Sequence, residues 1–337
     1  MPKTAPAWLW LLCALALARP AGAQTVAVAD LGIVADAPFY LAVERGYFAR
    51  AGIAVSLERF ASAAQTTVPL ATDKLQVAGG GMSAGLFNAF GRDLPIRVAM
   101  ARTRDTPNYS SDTLSVRANL KGTVRTMADL KGRKIAVNAP AGALEYMVGK
   151  MLQSAGLKFT DAEIVYMPWP DMSVAFANGA IDAGTLVEPF TTQYDERALA
   201  FPFARAADIL RDPPLEVSVI LYGKSWIDRS PDQVRAFAVA YLEGVRDYYD
   251  AMRGGPLRPE IIDILAKYTP LKDKALYDRI AWSYMDPNAE LSIASLIDQQ
   301  EWYARSGEIE HKVDVAAMID RRFLDYALSK LGRVEAR

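Results

Sequence analysis

Cysteine and histidine are nearly absent from this chain: Cys13 and His311 are the single examples of each in 337 residues. A thiolate or His/Cys metal cluster is therefore excluded, and scattered carboxylates alone read as solvated surface. No disulfide can form within the chain, so stability must come from burial. An excess of one charge is also missing, since 38 Lys and Arg stand against 39 Asp and Glu. That balance offers no electrostatic pull on nucleic acid. Past the first residues, no apolar run reaches the ~18 residues a membrane-spanning helix needs. Neither an internal repeat nor a low-complexity tract interrupts the chain.

What is present starts with Lys3, an apolar run over residues 7–18, and Ala21-Gly22-Ala23 before Gln24. This is the layout of a cleavable export signal over residues 1–23, so the mature chain is expected to begin near Gln24 and to work in the periplasm. Cys13 leaves with that segment, and Leu12 before it is too large for a lipid-attachment site. With Lys3 and Arg19 gone from the 38 basic side chains, 36 face 39 acidic ones, a formal charge of −3. The remaining chain exceeds the ~250 residues that one core organises comfortably, which predicts two lobes.

Short apolar strands alternate with helical stretches through the first two-thirds, predicting an α/β fold with parallel sheets covered by helices. Strands are expected at 26–31, 53–60, 75–78 and 96–101 in a first lobe, and at 113–116, 135–138, 163–167 and 180–187 in a second. Leu144, Met147, Val148, Met151, Leu152 and Ala155 form one apolar helical face, and Gly156 suits its end. With the strands on either side, this is a β-α-β unit. Asp212-Pro213-Pro214 marks a break, after which residues 217–222 read as a strand returning to the first lobe. The predicted division is a first lobe of residues 24–110 plus 213–337 and a second of 111–212, joined by two crossing segments. From Ser230 onward the chain reads as helices, with Ser230-Pro231-Asp232-Gln233 as a capped start and Asp314 and Gly332 bracketing the last.

Three strings carry a family signal: PFYLAVERGYFARAGIAV at 38–55, DLKGRKIAV at 129–137 and ANGAIDAGTLVEPF at 177–190. In this order and spacing the chain resembles the substrate-binding proteins of ABC importers in the nitrate, sulfonate, taurine and pyrimidine-precursor group. The resemblance implies a type II periplasmic binding protein, a monomer that closes two α/β lobes on a small molecule. It also implies delivery to an inner-membrane permease with its ATPase, and no cofactor. Some eukaryotic relatives make a pyrimidine precursor with a pyridoxal cofactor and a sacrificed histidine, but no histidine occupies a comparable first-lobe position here.

Candidate ligand contacts follow from strand ends and helix starts. Pro38 suits a first helical turn, leaving Phe39 and Tyr40 as an aromatic edge of the cleft or as core. Gly80, Gly81 and Ser83 follow a strand, where the backbone can approach a ligand closely. Gly142 and Ala143 form the equivalent turn in the second lobe, whose free amides suit an anionic group. Serine or threonine is common at this turn in sulfonate and nitrate binders, whereas Pro140-Ala141-Gly142-Ala143 offers no hydroxyl.

Trp169, between Pro168 and Pro170, either stands over a planar ligand or caps its own lobe. Glu188, before Pro189, either accepts ligand hydrogen bonds or caps a helix. Arg102 can pair with a ligand carboxylate or remain solvated, with Arg104 behind it, while Ser218 and Tyr222 sit on the return segment. An aromatic, mostly apolar pocket with few charges suits a planar organic molecule such as a heterocyclic carboxylate or a pyrimidine.

Two other function classes compete. Gly81-Met82-Ser83-Ala84-Gly85 matches the G-x-S-x-G nucleophile elbow of a serine hydrolase. Too few strands precede it for that fold, and His311, the sole base on offer, sits in a polar stretch. A ligand-sensing subunit would use the same cleft.

Overall fold

The computed structural model describes residues 25–335; the expected export signal, with Cys13, lies outside the described residues. Ten strands are present: β1 (Val26–Asp30), β2 (Val55–Arg59), β3 (Val77–Gly80), β4 (Ile96–Arg104), β5 (Thr113–Arg117), β6 (Lys134–Val137), β7 (Glu163–Tyr166), β8 (Ala183–Leu186), β9 (Ala200–Arg205) and β10 (Glu216–Gly223). They form two five-stranded sheets, ordered β2-β1-β3-β10-β4 and β7-β6-β8-β5-β9.

Neither sheet is wholly parallel. β10 runs antiparallel to β3 and β4, and β5 runs antiparallel to β8 and β9. The cause is chain direction. β4 ends at the seam between the lobes and the chain continues into β5, so β5 leaves the seam while the parallel strands of its sheet run towards it; β10 does the same on the return. Each sheet thereby turns the carboxyl ends of its parallel strands towards the other, the place where open α/β sheets bind ligands.

The helix Ala143–Ser154 lies between β6 and β7 as its apolar periodicity requires, burying Leu144, Met147, Val148, Met151 and Leu152, with Gly156 at φ +74° just beyond. The helix Pro231–Met252 has proline at its first turn, but the expected capping box does not form. Gln233 Oε1 instead accepts the Trp226 indole N–H at 2.8 Å. The last helix, Arg322–Leu331, ends at Gly332 as expected, and starts later than Asp314 because residues 316–318 form a separate short turn.

An aromatic cluster holds the first sheet to the C-terminal helices. Phe237 has ring centroids of Phe48, Trp226, Tyr222, Phe39 and Tyr241 at 4.8, 5.7, 6.0, 6.5 and 6.5 Å. Five rings on one side chain leave no room for collapse after truncation. Phe237→Ala is expected to destabilise the protein by about 3–5 kcal/mol in urea unfolding, and a loss below ~1 kcal/mol would show that the cluster does not carry this lobe.

Candidate functional site

A cavity of about 360 Å³ lies between the two sheets. From the first sheet it is lined by Leu31 and Ile33 after β1, Gly80, Gly81 and Ser83 at the end of β3, and Arg102 and Thr103 in β4. The second sheet contributes Asn138, Gly142 and Ala143 after β6, Trp169 after β7, and Val187 and Glu188 after β8. Ser111 and Asp112 on the crossing segment, Ser218 in β10 and Ser283 from the C-terminal region complete the polar wall.

The loops of the two lobes touch. Ala84 N–H donates to Ala141 C=O at 2.9 Å, and Val34 N–H donates to Glu188 C=O at 3.1 Å. A Cβ on Gly81 would lie 3.1 Å from Ala143 Cβ and 3.1 Å from Val217 C=O, tighter than such atoms normally approach. This is a closed arrangement made by turns with almost no side chain. Gly81→Val is expected to wedge the lobes apart, which solution scattering would record as a larger radius of gyration with unchanged secondary structure. A scattering curve identical to that of the unsubstituted protein would disprove the contact's role.

Three ionisable side chains line the cavity: Arg102, Asp112 and Glu188. Arg102 is buried and forms an ion pair with Asp36, while its Nε donates to Ala35 C=O at 3.1 Å. Burial pushes the Asp36 carboxyl up to about 6, against the pull of Arg102 and of N–H bonds from Leu31 and Ile33. Asp112 accepts Ser111 Oγ–H at 3.1 Å, and burial raises it to about 6. Behind it Asp105, wholly buried and facing Asp112, is pushed well above the carboxylate range. Glu188 accepts Ala281 N–H at 3.0 Å, Thr192 N–H at 3.2 Å and Thr192 Oγ–H at 3.0 Å, yet burial still raises it to about 7.

These shifts have a sign in stability. Glu188 and Glu216 rise from 4.5 to about 7 on folding, so the native state holds protons that the unfolded chain has released. Folding then takes up protons, and stability falls as pH rises through that window. Thermal denaturation is expected to give a higher Tm at about pH 5 than at about pH 8; a flat or rising profile would contradict these assignments.

Of the residues singled out in the sequence, Gly80, Gly81, Ser83, Arg102, Gly142, Ala143, Trp169 and Glu188 all line the cavity. Phe39, Tyr40 and Tyr222 do not. Phe39 packs on Tyr241 at 5.0 Å, and Tyr40 stacks on Tyr268 at 4.4 Å with its hydroxyl donating to Asp30. Tyr222 meets Trp226 edge-on at 5.4 Å. The helix is buried from Ala37 to Ala42 and the strand along its whole length, so these rings are core. Arg104 is also withdrawn, donating to Glu216 Oε2 at 3.0 and 2.8 Å.

Ser83 caps the helix Ala84–Gly91, its Oγ accepting Leu86 N–H at 3.1 Å, and His311 is not among the cavity residues. The elbow therefore has no histidine base at this cavity. At the turn before the Gly142 helix start, Glu145 Oε2 accepts Ala141 N–H at 3.1 Å and Tyr166 O–H at 2.6 Å. Thr103, Ser111, Asp112, Asn138 and Ser283 went unnoticed in the sequence. For Glu145 a signal existed, an acid three residues after the turn glycine, as in a capping box. Among the described residues no group of three or more His, Cys, Asp and Glu is placed to hold a metal ion, and no helix is long and apolar enough to cross a membrane.

Residues 35–251 match the model of the NMT1/THI5 like family, and the chain belongs to that family. A stretch of 86 residues is 31% identical to the Escherichia coli (strain K12) protein named as aliphatic sulfonates-binding, spanning 26% of this chain and 26% of that relative's length. Among solved structures, the alkanesulfonate-binding protein SsuA from Xanthomonas axonopodis pv. citri, bound to MOPS, superposes with a TM-score of 0.71 at 19% identity, covering 89% of this chain and 99% of that one. The nitrate-binding protein NrtA from Synechocystis PCC 6803 gives 0.69 at 16% identity, covering 91% and 89%. The fold is thus the two-lobed type II periplasmic binding fold that the three sequence strings implied.

Proposed function

We propose that this protein is an extracytoplasmic solute-binding protein of an ABC importer, which captures a small, flat organic molecule between its lobes and delivers it to an inner-membrane permease with its ATPase. The observation that carries this reading is the cavity itself, roofed and floored by strand ends of both sheets and sealed by the Ala84–Ala141 and Val34–Glu188 main-chain bonds. A shared cavity of this kind rewards closure, because the occupant touches both lobes only when they meet.

In this reading residues 24–110 with 213–337 form one lobe and 111–212 the other, and the protein works as a periplasmic monomer. Gly80, Gly81, Ser83, Arg102, Gly142, Ala143, Trp169 and Glu188 contact the ligand. The apolar lining by Leu31, Ile33, Leu144, Val187 and Leu221, with the Trp169 ring, suits an aromatic or heterocyclic body. The names of the relatives support importer service, since they are binding proteins for sulfonates and nitrate.

Ligand stripping by partial unfolding, followed by scattering with and without the compound recovered from the supernatant, tests this. Rebinding is expected to contract the particle and to raise its Tm by the mass-action amount. A bound compound that leaves the scattering unchanged, or that a crystal structure seats away from Ser83 and Trp169, would overturn it.

A further inference from the structure

Among the described residues, the one arginine that lines this cleft is already paired with one of the protein's own carboxylates. Arg102 is paired with Asp36, both side chains being 1% exposed. Arg104 is paired with Glu216 at 2.8 Å. At the turn before the helix that follows β6, Glu145 is turned back onto Ala141 N–H at 3.1 Å, which places an acid near main-chain N–H groups of the kind that attract anions. With Arg102 neutralised, the ionisable side chains left on the cavity wall are the carboxyls of Asp112 and Glu188.

Those two acids are held by a single stretch of main chain. Ala281 N–H donates to Glu188 Oε1 at 3.0 Å, and two residues on, Ser283 Oγ–H donates to Ser111 Oγ at 2.7 Å, which in turn donates to Asp112. A second observation points to a ligand: Trp169 lines the cavity, is 5% exposed, and its indole Nε1–H has no hydrogen-bond partner. A buried donor left unpaired is costly, so an occupant should supply an acceptor there.

Resting on the solute-binding reading, we propose that the occupant is a cationic nitrogen base, an amidinium, guanidinium or aminoheterocyclic cation, with its N–H edge on Asp112 and Glu188 and an acceptor on the Trp169 indole. Burying a second anion beside two carboxyls adds repulsion to desolvation, whereas a cation there gains charge-assisted hydrogen bonds. The solved neighbours are named for sulfonate and nitrate, both anions; this chain has the same fold with two carboxyl side chains on its cavity wall.

Four probes with one ring and different head groups test the charge: benzamidine, benzamide, benzoate and benzenesulfonate, by calorimetric titration and thermal shift on the purified protein. Benzamidine is expected to bind at least about tenfold more tightly than benzamide, with the two anions inert. Asp112→Asn should reduce benzamidine affinity about tenfold while benzamide changes by less than about threefold. Should that variant fail to fold, the ranking of the probes on the unsubstituted protein decides.

A mixed-charge collection of small metabolites separates this inference from the reading beneath it. Cationic hits support both. Hits that are anionic or neutral overturn the charge assignment and leave the solute receptor standing. No hit of any charge overturns both.

Discussion

The seam of this protein depends on two bare turns, one at the carboxyl end of each sheet, meeting main chain to main chain. Ala84 N–H reaches Ala141 C=O at 2.9 Å because Gly81 and the Ala141-Gly142-Ala143 run place nothing larger than a methyl group between them. The rest is geometry. Strands whose carboxyl ends face the seam, with β5 and β10 leaving it, allow two such turns to be opposed. Where they touch, the volume behind them is lined by both lobes.

The charges under that seam look like poor stability engineering. Buried pairs such as Arg102–Asp36 and Arg104–Glu216 give up much of their attraction to desolvation. Several carboxyls here keep protons into the neutral range for the same reason. What the arrangement does supply is polarity. With Arg102 paired internally, the ionisable groups left on the cavity wall are two acids, beside one indole N–H without a partner. Under the proposed solute-binding role, a ligand would be discriminated by what it brings to those groups, more than by the apolar area it buries.

Most of the scaffold was readable because periodicity is local. The 144–155 apolar face, the strand runs and the Asp212-Pro213-Pro214 break lie close to the observed helix, strands and return crossing. Turn residues at strand ends were readable for the same reason, which is why Gly80, Gly81, Gly142, Ala143, Trp169 and Glu188 reached the cavity. Phe39, Tyr40 and Tyr222 failed for a different one. The helix Ala37–Glu44 is buried from Ala37 to Ala42, so no spacing within it could mark a cleft-facing side. Asp112 and Ser283 lie 171 positions apart and meet only through Ser111, a contact that no window along the chain contains.

The C-terminal helix Ile293–Arg305 makes the two sides of the seam unequal. Its start pins the hinge strand: Ser292 N–H donates to Glu216 Oε2, Ser295 Oγ accepts Glu216 N–H, and Gln299 Nε2 donates to Glu216 C=O, all within 2.9 Å. Further along, Tyr303 O–H reaches Met82 C=O in the first lobe at 3.2 Å, while Trp302 packs against Tyr146 of the second at 5.9 Å. Across the cleft, near Glu188, the side-chain links include Arg279 with Asp195 and Glu196, exposed pairs of a kind typically worth about 0–1 kcal/mol. Both edges of the seam thus carry buried bonds, Val34 and Ala281 reaching Glu188 on one side, and the Glu216 edge has in addition a helix start fastened to the return strand.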